Sequence, residues 1–149
     1  MQFFRLEAEK DRFMEKVEKV QSDMLRCIKS WSVTRDAWKQ RASHFTSESL
    51  HGKASFALQQ ADMHQEMIER MKLKMYSTGY GHLLYLKEGE AFWKHVQAVR
   101  DGKAPLRMTM DDLVREGYSL PVGLAESIKK DALAASKRRE ARGNRKERK

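Results

Sequence analysis

The chain has 149 residues, 34% of them charged and 40% apolar, with a mean hydropathy of −0.77 and a net charge of +9. That length is enough for one domain with its own core, but so much charge excludes a densely packed globule and so much apolar content excludes disorder throughout. The composition predicts an all-α fold: an elongated helical body with a long N-terminal coiled-coil-like helix, two further helices, a short helix and a C-terminal helix running into a basic tail.

No proline or glycine occurs between residues 3 and 46. Phe3, Leu6, Phe13, Val17, Val20, Met24, Cys27, Trp31, Trp38 and Phe45 follow alternating steps of three and four, interrupted by Lys10, Thr34 and Arg41. This spacing predicts one continuous helix of roughly 65 Å at 1.5 Å per residue. A helix that long cannot cover its own stripe, which must pack on other helices, a second copy or a foreign surface. The first half of the stripe is mostly aliphatic. The second half sets Trp31, Trp38 and Phe45 seven residues apart beside polar side chains, a mixture typical of contact patches. These three are candidate protein-interface residues, against the alternative that they pack on the chain's own second helix.

Gly52 in "SLHGKAS" is the expected turn. A second helix is expected from Ala54 to Tyr76, with Phe56, Gln60, Met63, Met67 and Met71 along one side. Unbranched thioethers suit an uneven surface, so Met63, Met67 and Met71 join the interface candidates, the competing reading being core. Gly79 and Gly81 predict a stop. A third helix is expected from His82 to Val99, burying Leu83, Leu84, Leu86, Phe92, Trp93, Val96 and Val99 and ending near Gly102 and Pro105. Thr109 three residues before Asp112 predicts a capping box opening a short helix that stops at Gly117. A last helix is expected near Pro121, a residue suited to a first turn. Its narrow stripe of Leu124, Ile128, Ala132 and Ala135 ends before Lys137. The expected organisation is an extended helical body over 1–104, a connector over 105–128 and a basic arm over 129–149.

Charge follows this division. Residues 129–149 carry ten Lys or Arg and three acids, whereas the preceding 128 residues are nearly neutral. After Leu133 the arm has no aromatic or large aliphatic side chain, so it can neither stack on bases nor wedge into lipid. Guanidinium groups match phosphate oxygens in pairs, which makes Lys137, Arg138, Arg139, Arg142, Arg145, Lys146, Arg148 and Lys149 candidate RNA-phosphate contacts. Such contacts position a protein without reading sequence.

Catalytic chemistry is missing from the pattern. Histidines at 44, 51, 64, 82 and 95 form no HExxH and have no second cysteine beside them, so no metal site is expected. There is no nucleophile motif and no phosphate loop, and Asp111 and Asp112 point apart on a helix. Neither an enzyme nor a cofactor is expected. Cys27 is the sole cysteine, which fits a reducing compartment. No apolar run reaches the length of a membrane span. The acidic start, with Glu7, Glu9 and Asp11, resembles no cleavable targeting signal, so the mitochondrial matrix or the cytoplasm is the expected compartment.

These features predict a non-catalytic structural subunit of a ribonucleoprotein assembly, of organellar or lineage-specific ribosomal type, with helices on protein neighbours and the arm on RNA, rRNA being the expected one. The alternatives are a microtubule-associated cytoskeletal or axonemal part, a supernumerary peripheral subunit of a membrane-bound complex, and a homodimeric coiled-coil adaptor.

Overall fold

A computed structural model describes the backbone of residues 2–86 and 90–146, and the side chains of residues 4–86 and 91–138. The described residues form five α-helices: α1 (Gln2–Ser47), α2 (His51–Ser77), α3 (Glu90–Arg100), α4 (Met110–Arg115) and α5 (Leu124–Lys146). A 3-10 helix, Gly81–Tyr85, lies between α2 and α3, and no strand occurs among the described residues. The fold is all-α, and its long N-terminal helix runs the length that the periodicity requires. The chain divides into two units, Met1–Met108 and Thr109–Lys149. None of the described helices is long and apolar enough to cross a membrane.

In the first unit α1 and α2 form an antiparallel hairpin. The turn is made by Ser49 at φ 60°, not by Gly52. The Leu50 N–H donates to Phe45 O at 2.8 Å and the Ser49 N–H to Thr46 O at 3.1 Å, which closes α1 in the manner of a left-handed C-cap. Gly52 lies inside the first turn of α2.

The seam of the hairpin is displaced by about one residue from the expected stripe on both helices, a rotation of roughly 100°. On α1 the buried positions are Glu18, Gln21 and Ala42, while Phe13 is 58% exposed and Val20 also faces outward. On α2 the buried positions are Ala54, Ala57, Ala61, Ile68, Met75 and Tyr76. Phe56 is 55% and Met63 46% exposed, and Met67 and Met71 are half-buried, so the Met stripe flanks the core and does not form it. Small side chains at the contact let the two helices approach closely, and the bulky residues beside them are pushed to the edges.

Polar groups on the seam are paired with one exception. The buried Glu18 carboxylate accepts two bonds from Arg100 of α3, from Nε at 2.7 Å and Nη2 at 2.6 Å. Arg35 Nη1 donates to Gln65 Oε1 at 2.7 Å. The Gln21 side-chain nitrogen is buried without a partner among the described residues.

At the far end of the hairpin Met75, Tyr80 and Leu83 form the core, with Val17, Met24, Leu25, Ile28, Leu84 and Leu86 packed around them. Gly79, at φ +84°, ends α2. A Cβ at Gly81 would overlap the Tyr76 ring, so only glycine lets the chain fold back here. Tyr76 and Tyr85 then meet hydroxyl to hydroxyl at 2.9 Å, and burial raises the Tyr76 phenol above its ordinary pKa. This return is why the helix expected from His82 is replaced by a 3-10 turn, with α3 beginning at Glu90. On α3 Phe92 and Val96 are buried, whereas Trp93 is exposed, contrary to expectation.

In the second unit the capping box is formed. Thr109 Oγ1 accepts from the Asp112 N–H at 3.2 Å, and Asp112 Oδ2 accepts from the Thr109 N–H at 2.9 Å. The Thr109 hydroxyl also donates to Asp112 Oδ2 at 2.7 Å, and this bond, followed by that from the Thr109 N–H, holds the Asp112 carboxyl below its usual range. The helix stops before Gly117, which takes φ +83°. Gly123 at φ +74° makes a second turn, so α5 starts at Leu124 and Pro121 stands outside it. Leu124 is buried and Ile128 half-buried, but Ala132 and Ala135 are exposed. The apolar cover of α5 therefore ends within about two turns.

Candidate functional site

The residues proposed for recognition lie on the hairpin of the first unit and on α5 of the second. Trp38 and Phe45 stand at the turn end of the hairpin, where they line a groove of about 460 Å³ together with Arg41, Gly52, Lys53 and Phe56. The local helical spacing explains the grouping. Trp38, Arg41 and Phe45 lie at i, i+3 and i+7 on α1, and Gly52, Lys53 and Phe56 lie on the facing edge of α2. Trp38 and Phe56 meet edge to face, with centroids 6.0 Å apart and planes at 87°. The Arg41 guanidinium lies 5.0 Å from the Trp38 ring and the Lys53 ammonium 5.9 Å from the Phe45 ring. Each cation is thus held over an aromatic face, and no carboxylate pairs with either one among the described residues. Of the acids in this stretch, Asp36 is bonded to Arg35, and Glu48 lies 3.4 Å from His44, an ion pair only when that imidazole is protonated.

Trp31 lies two turns from Trp38 toward the N-terminus of α1 and is half-buried outside this groove. Met63, Met67 and Met71 also lie away from it along α2. The structure therefore joins Trp38 and Phe45 into one surface and leaves the other four apart. Phe56 belongs to the expected stripe of α2, whereas Lys53 and Gly52 are the groove residues that periodicity did not single out, because helix pairing places them opposite α1 across a turn.

Of the arm, Lys137 and Arg138 are exposed. The side chains of Arg139, Arg142, Arg145 and Lys146 lie outside the described residues, as do Arg148 and Lys149 entirely. The backbone of α5 is helical through Lys146, and that register alone has a consequence. At 100° per residue, positions 138, 139, 142, 145 and 146 fall on one arc of roughly 120°, with position 140, the acid in this stretch, on the other side.

A third feature is a histidine pair. His82, on the 3-10 helix, and His95, on α3, bring their Nε2 atoms to 3.2 Å, with ring centroids 5.0 Å apart. Burial lowers the His82 pKa to about 4, and the neighbouring His95 adds to the effect. Burial also lowers that of His95. His82 Nδ1 lies near the Gly79 backbone, which favours protonation weakly, but without forming a hydrogen bond. Thirteen residues separate the two histidines in sequence, and only the return of the chain at Gly81 brings them together. Among the described residues no three His, Cys, Asp or Glu side chains converge as a metal site.

Comparison with family models, curated proteins and solved structures finds no match for this chain. Its functional reading therefore rests on these geometries.

Proposed function

We propose that the chain is a non-catalytic structural subunit of a ribonucleoprotein assembly, which lays its helical hairpin on protein neighbours and its C-terminal basic helix along RNA phosphates. The observation that carries this reading is the state of α5. It remains helical through Lys146 after its apolar cover has ended, and its register sets positions 138, 139, 142, 145 and 146 on one arc. A polyanion is the surface that would neutralise such an arc, and arginine-rich contacts to phosphate require no aromatic side chains. The first unit, with its bulky side chains at the edges of the hairpin, suits docking on protein.

The test is the salt dependence of binding to a single-stranded RNA of about 20 nucleotides, followed by fluorescence anisotropy with the full chain. Substituting Arg138, Arg139, Arg142, Arg145 and Arg148 by Gln should reduce the slope of log K against log salt by about 3.5, at roughly 0.7 per phosphate contact. The helical circular dichroism should change little. An unchanged slope would refute the role of the arm. Polymerised tubulin or anionic vesicles holding the chain at a salt concentration that releases RNA would favour the cytoskeletal or membrane-peripheral alternative.

A further inference from the structure

We infer that the groove between α1 and α2 docks an acidic amphipathic helix of a protein partner, its apolar side chains entering beside Trp38, Phe45 and Phe56 and its carboxylates meeting Arg41 and Lys53. The inference stands on the hairpin alone and goes beyond the RNA-binding role of the arm.

Three observations select this occupant. The first is charge complementarity. Arg41 and Lys53 border an aromatic floor, neither has a carboxylate partner among the described residues, and Asp36 is already bonded to Arg35. Cation–π contact orients both groups while leaving N–H donors free, so a partner's carboxylate gains pre-positioned donors at little ordering cost.

The second is the shape of the site. Its lining comes in two rows from two antiparallel helices, so the groove runs between them, and such a groove is filled by the ridge of a third helix. At about 460 Å³ it lies within the range of specific binding clefts. The charged groups at the rim are donors only, which suits carboxylates.

The third is Gly52. Its φ is not positive, and a Cβ there would meet nothing within 4 Å, so neither the backbone nor packing within the chain requires glycine at this position. Glycine is among the poorest helix formers, yet it occupies the first turn of α2 and lines the groove. The absent side chain keeps the floor accessible to a partner.

The test uses the full chain carrying the five Arg→Gln substitutions of the arm, so that the arm cannot capture an acidic probe. The probe is a fluorescein-labelled peptide of about 16 residues with Leu at i, i+3, i+4 and i+7 and Glu at the flanking positions; its partner control has Gln in place of Glu. Anisotropy should show binding of the Glu peptide at least about tenfold tighter than the Gln peptide. Arg41→Glu with Lys53→Glu should weaken it by at least about tenfold, and Gly52→Leu, which fills the floor, should weaken it comparably, with circular dichroism unchanged in both variants. Equal binding of the two peptides, or full affinity in the Gly52→Leu chain, would overturn the inference. So would displacement of the peptide by oligouridine, or sedimentation showing a dimer that Gly52→Leu dissolves, since the occupant would then be RNA or a second copy. Loss of RNA binding in the arm variant bears only on the arm, and loss of peptide binding only on the groove.

Discussion

The His82–His95 contact makes the stability of the first unit dependent on pH in a defined window. His82 is 3% exposed, its pKa is pushed down to about 4, and the ordinary value is 6.5. A histidine with a depressed folded pKa is neutral in the fold and takes up its proton more readily when unfolded. Its contribution is present in full above pH 6.5 and is lost as pH falls toward 4. A shift from 6.5 to about 4 corresponds to roughly 3 kcal/mol in the low-pH limit. About 2 kcal/mol of this is lost between pH 7 and pH 5, and His95, shifted in the same direction, adds to the loss. The carboxylates with lowered pKa values, Glu15 and Asp112, titrate below this interval, so the two effects separate. Urea unfolding of the full chain from pH 7.5 to 5 should show the decline. His82→Gln, which carries no titrating ring, should flatten the curve even if it lowers stability at pH 7. A wild-type slope retained in His82→Gln, or a His82 ring titrating near 6.5 by NMR, would refute the reasoning.

Other substitutions test the packing directly. Gly81→Ala places a Cβ into the Tyr76 ring and should destabilise the chain by about 2–3 kcal/mol, read as a shift in the urea midpoint. Gln21→Leu removes a buried, unpartnered amide nitrogen from the α1–α2 seam and should stabilise by about 1 kcal/mol; a loss would mean that this amide has a partner in solution. Arg100→Met should lower the thermal midpoint more than the double change Arg100→Met with Glu18→Met, because the single substitution leaves the Glu18 carboxylate buried and alone. Met75, wholly buried at the centre of the core, should cost about 2–5 kcal/mol when changed to Ala, measured by calorimetry.

The sequence disclosed the class of fold and most of the helix punctuation, and the reason lies in which signals act locally. Absence of Pro and Gly over more than forty residues determines α1, and the Thr109–Asp112 box, Gly79, Gly102 and Gly117 act within a few residues of themselves. The faces of the helices were not legible in the same way. Counting large apolar residues selected Phe13, Val20, Phe56 and Met63, yet the hairpin closes on Ala42, Ala54, Ala57 and Ala61. Alanine contributes little to a hydrophobic periodicity, but where two long helices lie side by side it determines how near they come. The meeting of His82 with His95 depends in turn on a steric event, the approach of Tyr76 to Gly81, that no spacing rule encodes.

The same inversion bears on recognition. Because the contact between α1 and α2 is made largely by small side chains, the bulky ones at its margins are not consumed by it. Trp38 and Phe56 touch each other edge to face, with Phe56 still more than half exposed, and the space beside them remains open. A hairpin that pairs through alanine can thus present aromatic edges to another molecule without loosening its own pairing. The residues with the largest apolar surface are thus left to give a partner, which is why the expected stripe contributes Trp38 and Phe45 to the groove and Val17 and Met24 to the packing at the far end, although the fully buried positions lie beside it.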